Sequence, residues 1–328
     1  SISTTEFYTR QWWPDIKDFF KRYDIPFTSY LIFNYNQDVR APYTEGEFYV
    51  ADDTVTVTTA REILSTTGRL GFHGYNHVSP TVHKTKMNKV AWPSLAAIKE
   101  GWTVARQTWI RLFGEYSLPF SYVAPNNVIQ DEAIEILHEV FPSIKVVSSL
   151  RATADDETVH EFGPHPTIPD LYFIPRQTSG YVFTSFVRYL IASSISGSGI
   201  WSHFIHADDL FDPYRSEGKT WDQLKGDFHK MISFVKQQYP WIRFVDIREA
   251  YQTLRWIDAT GIEFNWDEER TTLRVESTEP GLLVRIRTNA MSLRELDGAE
   301  LVHRYSRMPV VIVRLTKPVH RFVFRPDR

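Results

Sequence analysis

Residues 71–80 read "GFHGYNHVSP". They overlap "RLGFHG" (69–74), a short apolar run that suits a buried strand, and they carry His73 and His77 four residues apart beside Tyr75, Asn76 and Pro80. A strand that ends in polar side chains points to a parallel α/β fold, because such folds build their sites from the loops after the strand carboxyl ends. Imidazoles at this spacing converge on one ion if the loop opens as a helical turn. Neutral imidazole suits zinc or another transition metal.

The flanking sequence extends this pattern. Upstream, "WPDIKDFFKRY" (13–23) sets Trp13, Ile16, Phe19 and Phe20 on one helical face behind a proline suited to a first turn. "IPFTSYLIF" (25–33) is a β-branched and aromatic run expected to form a buried strand. After a loop over 34–56, "TAREILSTTG" (59–68) predicts a helix closed by Gly68. Downstream, "SLAAIKEGWTVARQTWIRLFG" (94–114) predicts a helix capped by Ser94 and ended by Gly114. The strand "FSYVAP" (120–125), the helix "DEAIEILHEVF" (131–141) and the strand "IKVVSSL" (144–150) follow. "LYFIP" (171–175), "GIWSHFIH" (199–206) and "IRFVDI" (242–247) are further expected strands, with a helix over 220–239 between the last two. Strands alternating with helices predict a parallel sheet, open or closed into a barrel.

From about residue 260 the period changes to two. "IEFNWDE", "TTLRVEST", "LLVRIRT", "VVIVRL" and "HRFVFRP" are short strands separated by turns. The expected organisation is an α/β domain over 1–257 and a small β-sandwich module over 258–328. The module is read as a cover for the barrel, with carbohydrate binding as the alternative.

Composition narrows the function. Lys+Arg number 37 and Asp+Glu 40, for a net charge of -3 without a long block of one sign. That argues against a nucleic-acid or polybasic membrane surface. Cysteine is absent, so a metal must be held by His, Asp or Glu. The apolar stretch "VRYLIASSISGSGIW" (187–201) is broken by Arg, Ser and Gly and is too short to span a bilayer. Aromatics reach 15%, some in loop-like stretches such as "DLFDPYRSEGKTW" (209–221), where exposed rings suit stacking on sugars as well as a large core would.

Two further strand ends carry polar groups. "YVAPNNVI" (122–129) puts Pro125, Asn126 and Asn127 after a strand, and "IWSHFIHADDLFDP" (200–213) puts His206 at a strand end, ahead of Asp208 and Asp209. With these in place, residues 10 to 255 resemble the polysaccharide deacetylases, carbohydrate esterase family four and its relatives. The resemblance implies a distorted (β/α) barrel of the polysaccharide deacetylase type. It gives His73 and His77 the metal-ligand places, with Pro80 following, and "VAPN" the groove motif with Pro125 retained. His206 takes the place of the general acid, and His203 fits the same loose pattern. His206 is preferred because it stands at the strand end.

The sequence departs from the family in three places. Val123 stands where the family has arginine and Asn126 where it has tyrosine. The family's first strand, which ends in paired aspartates, would fall before Ser1. Either the sequence is a piece of a longer chain, the favoured reading, or Asp38, Asp52 or Asp53 substitutes.

The resemblance implies metal-dependent removal of N-acetyl groups from an amino-sugar polysaccharide, with a divalent ion, zinc in expectation. A carboxylate would take the proton from the attacking water, and His206 would donate to the departing amine, helped by Asp208 or Asp209. Arg176 and Tyr75 are candidate substrate contacts with Pro125 and Asn126. An extracellular or cell-envelope location follows from that substrate. Two alternatives stay open. One is a catalytically inactive glycan-binding relative. The other is a glycoside hydrolase with Asp208 and Asp246 as carboxylates about 5 to 9.5 Å apart.

Overall fold

The computed structural model describes residues 3–66, 69–84, 89–153, 157–266, 271–277, 280–289 and 291–326. Gly68, the expected helix stop, lies outside them. The chain begins with α1 (Thr4–Phe7) and a π-helical turn, which run into α2 (Trp13–Tyr23). Ile16 and Phe19 of α2 are buried, as the spacing of apolar residues predicts. Asp24, in the left-handed region, ends the helix. Then come β1 (Thr28–Asn34), α3 (Val55–Leu64) capped by the Thr54 hydroxyl, and β2 (Arg69–Asn76). Next are α4 (Leu95–Phe113), whose first turn is capped by Ser94 Oγ at 3.1 Å, β3 (Ser121–Gln130), α5 (Asp131–Val140) and β4 (Val146–Ala152).

Shorter pieces follow: β5 (Glu157–Val159), β6 (Gly163–Pro164), β7 (Tyr172–Phe173), β8 (Thr178–Ser179), α6 (Ser185–Gly197), β9 (His203–Phe204), α7 (Pro213–Ser216), α8 (Trp221–Gln238) and α9 (Ile247–Asp258). Among the described residues the main sheet runs β1-β2-β3-β4-β7-β6, with β5 on β4, and β8 pairs with β9 apart from it. The pairs from β1 to β4, and β4 with β7, are parallel, so an α/β fold with a parallel sheet is what the alternation delivers. Its core is strongly aromatic: Phe33, Phe72, Trp102, Trp109, Tyr122 and Phe141 are all buried against one another and the covering helices.

Two expectations need correction. "GIWSHFIH" shrinks to the two-residue β9, and "IRFVDI" forms no strand. The second stretch is where the chain passes between two units, Ser1–Gln238 with Phe244–Arg248 and Tyr239–Arg243 with Glu249–Arg328, so its β-branched residues find no ladder of their own. The division therefore falls earlier than residue 257. Helix α6 was hidden because its apolar residues follow one another without a clean period.

The second unit holds β10 (Gly261–Trp266), β11 (Thr271–Glu276), β12 (Leu283–Arg287), β13 (Met291–Asp297), β14 (Ala299–Arg304), β15 (Val310–Leu315) and β16 (Val319–Pro326). They form two antiparallel sheets, β10-β11-β16-β13 and β12-β15-β14. Val275, Val311, Val313, Leu315, Phe322 and Phe324 make one core with inward residues from both, and Trp256 of α9 packs on it. No helix among the described residues is long and apolar enough to cross a membrane.

Trp109 is fully buried in the first core and its Nε1–H donates to the Ser117 carbonyl at 3.0 Å. Trp109→Ala is expected to cost about 3–5 kcal/mol of unfolding free energy, read from the urea midpoint. A loss below about 1 kcal/mol would mean that the aromatic core does not hold the sheet as described.

Candidate functional site

The site starts where β2 and β3 part. Their only paired register among the described residues is Phe72 with Tyr122. Just beyond it β2 bulges: Leu31 of β1 pairs with Phe72 but Ile32 pairs with Gly74, leaving His73 as the extra residue. Gly74 has φ +124°, and a Cβ there would stand 2.9 Å from Pro125 Cγ, so a side chain is excluded on both counts. With the ladder gone, the His73 ring crosses to β3, where Nδ1–H donates to the Val123 carbonyl at 2.8 Å. That bond fixes the tautomer and leaves the Nε2 lone pair free.

His77 follows one residue past the strand end, tied by its own N–H to the Asn36 carbonyl at 3.1 Å. The two imidazoles stand 5.6 Å apart, centroid to centroid, at 61°. They converge through a bulged, extended chain rather than through the helical turn expected from the spacing. Burial pushes the His73 pKa down to about 4, and the same cause lowers that of His77. Both rings are therefore neutral at pH 7, with lone pairs available.

The β3 side of the site is also irregular. Its register against β4 breaks between Val123 and Val128, so Pro125–Asn127 form a bulge inside the strand rather than a loop after it. Asn126 and Asn127 take φ of 50° and 64°, conformations that asparagine tolerates. Asn126 Nδ2 reaches toward the His77 carbonyl at 3.4 Å, and Ser79 Oγ donates to the Pro125 carbonyl at 2.9 Å. Pro125 and Asn126 thus brace the histidine segment.

His206 lies on the same site, near enough that a positive charge on its ring would act on both His73 and His77. It caps a short 3-10 turn (Ala207–Phe211). The Asp209 amide N–H donates to its side chain, and its own N–H donates to Asp209 Oδ2 at 3.3 Å. Arg215 Nη1 also lies 3.3 Å from His206 Nδ1. With donors facing Nδ1, the neutral ring carries its proton on Nε2. The Asp209 side chain is 2% exposed, and its Oδ1 lies 3.3 Å from Nδ1, ready to partner that nitrogen when it is protonated.

Arg215 ties these acids together. It bonds Asp209 at 2.7 Å, Asp212 at 2.9 Å and Asp208 at 3.2 Å. Burial opposes its charge, but these carboxylates outweigh burial and raise its pKa further. His206, Asp208 and Asp209 form the one group of three possible metal ligands within 4.8 Å among the described residues, and the guanidinium already stands against it. No third His, Asp or Glu joins His73 and His77 at that range among the described residues.

Of the other sequence candidates, Arg176 lies here: its charge is felt at His73 and His203, and its guanidinium stacks 4.0 Å over the Phe204 ring. Tyr75 does not face the site. The bulge at His73 turns it toward α4, where it is buried against Tyr43 and Gly101 and its hydroxyl donates to the Thr44 carbonyl at 3.0 Å. His203 is half-buried with Nδ1 2.8 Å from Thr178 Oγ1, so His206 is the histidine presented to the site. Asp246 pairs with Arg69 at 3.3 Å, at the opposite end of β2 from His77. Eight residues of strand span on the order of 25 Å, so the glycosidase pair with Asp208 is not assembled. Asp38 is exposed and paired with Arg40, and Asp52 is paired with Arg111 at 3.0 Å.

Three site residues escape the sequence reading. Tyr35, 63% exposed, has its ring 5.0 Å from that of His77. Tyr8 has its pKa pushed up to about 12, first by burial and then by the Asp208 charge. Arg215 completes the cluster. Tyr35 follows the end of β1, so the rule about strand ends applies to it; Tyr8 lies in the π-helical turn and Arg215 in the one-turn helix α7, too short to leave such a mark.

A family model described as "Uncharacterised protein conserved in bacteria (DUF2194)" matches residues 1–310. The chain belongs to this DUF2194 family. No curated protein matches the chain. Among solved structures it is similar to the alpha-amylase from H.orenii at 9% identity, over 83% of this chain, with a TM-score of 0.20. The chain spans 63% of that structure's length, and so faint a likeness bears on neither fold nor activity.

Burial pushes the His203 pKa from 6.5 down to about 4. The unfolded chain takes up this proton near pH 6.5 and the folded one only near pH 4. Stability linked to it is therefore full above pH 6.5 and is lost as pH falls toward 4, on the order of 3 kcal/mol in all. His203→Gln is expected to flatten that part of the stability profile, measured by urea midpoints at pH 7, 5.5 and 4.5. A profile parallel to the parent's would contradict the assignment.

Proposed function

We propose that the first unit is a metal-dependent hydrolase that removes N-acetyl groups from an amino-sugar polysaccharide, built as a distorted barrel of the deacetylase type. The His73–His77 pair carries this reading. An ion about 2.0–2.1 Å from each ring nitrogen has the ring centroids about 3.2 Å away, so two rings at a tetrahedral or wider angle stand roughly 5–6 Å apart. The observed 5.6 Å fits, and so do the neutral rings and the backbone bond that orients His73. His73 and His77 would hold a divalent ion, zinc by donor type, and the ion would supply Lewis acidity toward the acetyl carbonyl.

The remaining roles belong to the chain's own side chains. Asp208, whose charge reaches His77, is the carboxylate to accept the proton of the attacking water. His206, as the imidazolium with its Nδ1 proton matched by the buried Asp209, would donate its Nε2 proton to the departing amine and be left as neutral imidazole. The exposed Tyr35 ring beside His77 offers a face for a sugar. Such a polymer places the reaction in the cell envelope or outside the cell. One observation favours the second reading, a glycan binder without chemistry: Arg215 engages Asp208 and Asp209 together.

Zinc incubation followed by desalting should leave about one ion per chain, lost in His73→Ala and in His77→Ala and kept in His203→Gln. Chelator-sensitive acetate release from N-acetylchitooligosaccharides should then fall on the order of 100-fold or more in His206→Gln and Asp208→Asn. Bound ion without acetate would select the binder. No bound ion would sink the metal reading.

A further inference from the structure

Arg176 makes no hydrogen bond and no ion pair with any described residue; its one partner is the Phe204 ring beneath it. Stacking occupies a face of the guanidinium and fixes its plane, while the N–H donors along its edge stay without protein acceptors. Burial drives its pKa down to about 10 from 12.5, although Asp209 lies near enough to oppose the shift. Asp209 offers it no hydrogen bond, being held by Arg215 at 2.7 Å. A half-buried guanidinium whose edge has no protein acceptor is a place where a ligand can complete the pair. The position agrees: Arg176 acts on His73, and Phe204 links it to His206, whose ring lies 4.4 Å from the phenyl.

We infer that the Arg176 guanidinium, stacked on Phe204 beside His73 and His206, is the receptor for a carboxylate of the ligand, which makes the glycan an acidic one with uronate residues. A planar carboxylate matches the fork of the guanidinium edge. A phosphate would bring a second negative charge toward Asp209. The inference rests on the proposed glycan reading for the sugar and on Arg176 itself for the charge.

Calorimetry on the full chain, dialysed against a chelator, separates the two. The probes are a hyaluronan hexasaccharide, which alternates glucuronate with N-acetylglucosamine, and the neutral chitohexaose. The acidic probe should bind about tenfold or more tighter at low salt, with the gap narrowing as salt rises. Arg176→Gln should close the gap. Arg176→Lys, which keeps the charge and loses the fork, should leave part of it. Free glucuronate should compete on the unaltered protein where glucose does not, so the inference stays testable if the glutamine variant fails to fold. Equal affinity for the two probes, binding of neither, a gap that survives Arg176→Gln, or stronger competition by inorganic phosphate than by glucuronate would overturn it. Metal is absent throughout, so a gap without acetate release in the separate zinc assay would fail the hydrolase reading and leave this inference standing.

Discussion

The site depends on the hydrogen bond from His73 Nδ1 to the Val123 carbonyl. Two parallel strands that stay paired along their length would have no room for a side chain between them. Here β2 and β3 are paired at Phe72 and Tyr122, and then both bulge, one at His73–Gly74 and the other at Pro125–Asn127. A side chain replaces the missing backbone bond, so the split does not strand a carbonyl in the interior, which would cost on the order of 1–3 kcal/mol. The same bond orients the imidazole and settles which nitrogen faces the site.

Charge is arranged around that split in two layers. Next to the strands the histidines are neutral, held so by burial. Further out, three aspartates share Arg215, with Asp209 the most enclosed of them. Neutral donors lie inside, while outside them three carboxylates against one guanidinium leave the cluster net negative. Arg176, which feels the Asp209 charge, is a second cation near that cluster.

Much of the fold was legible because its signals are local and redundant. Ser94 and Gly114 bracket α4 as their chemistry requires, and Trp13–Tyr23 shows its buried face in its spacing. The period-two stretches from residue 261 became strands because each found an antiparallel partner in the same unit, some adjacent in sequence, as β10 with β11 and β14 with β15, and others distant, as β11 with β16. "IRFVDI" looks no different from those stretches, yet a strand exists only if another edge is available, and that is not written in the segment. In the site, His73, His77, His206 and Arg176 were marked by residue type near strand ends. Tyr75 is open to two readings in the sequence, a sugar contact or a packing residue, and a one-residue bulge that exchanges the faces of the strand decides for packing; nothing in "FHGYN" apart from Gly74 announces it. Arg215 was overlooked since its partners are set by a turn geometry with no periodicity.

Arg176 lies 4.0 Å over the Phe204 ring, and the His206 imidazole meets that same ring edge to face, at 4.4 Å between centroids and 64° between planes. Groups in contact this closely do not reorient independently, because a tilt in one opens a gap or a clash at the next. An anion that pulls on the guanidinium would therefore also act on the attitude of the imidazole, through the phenyl ring that both of them touch.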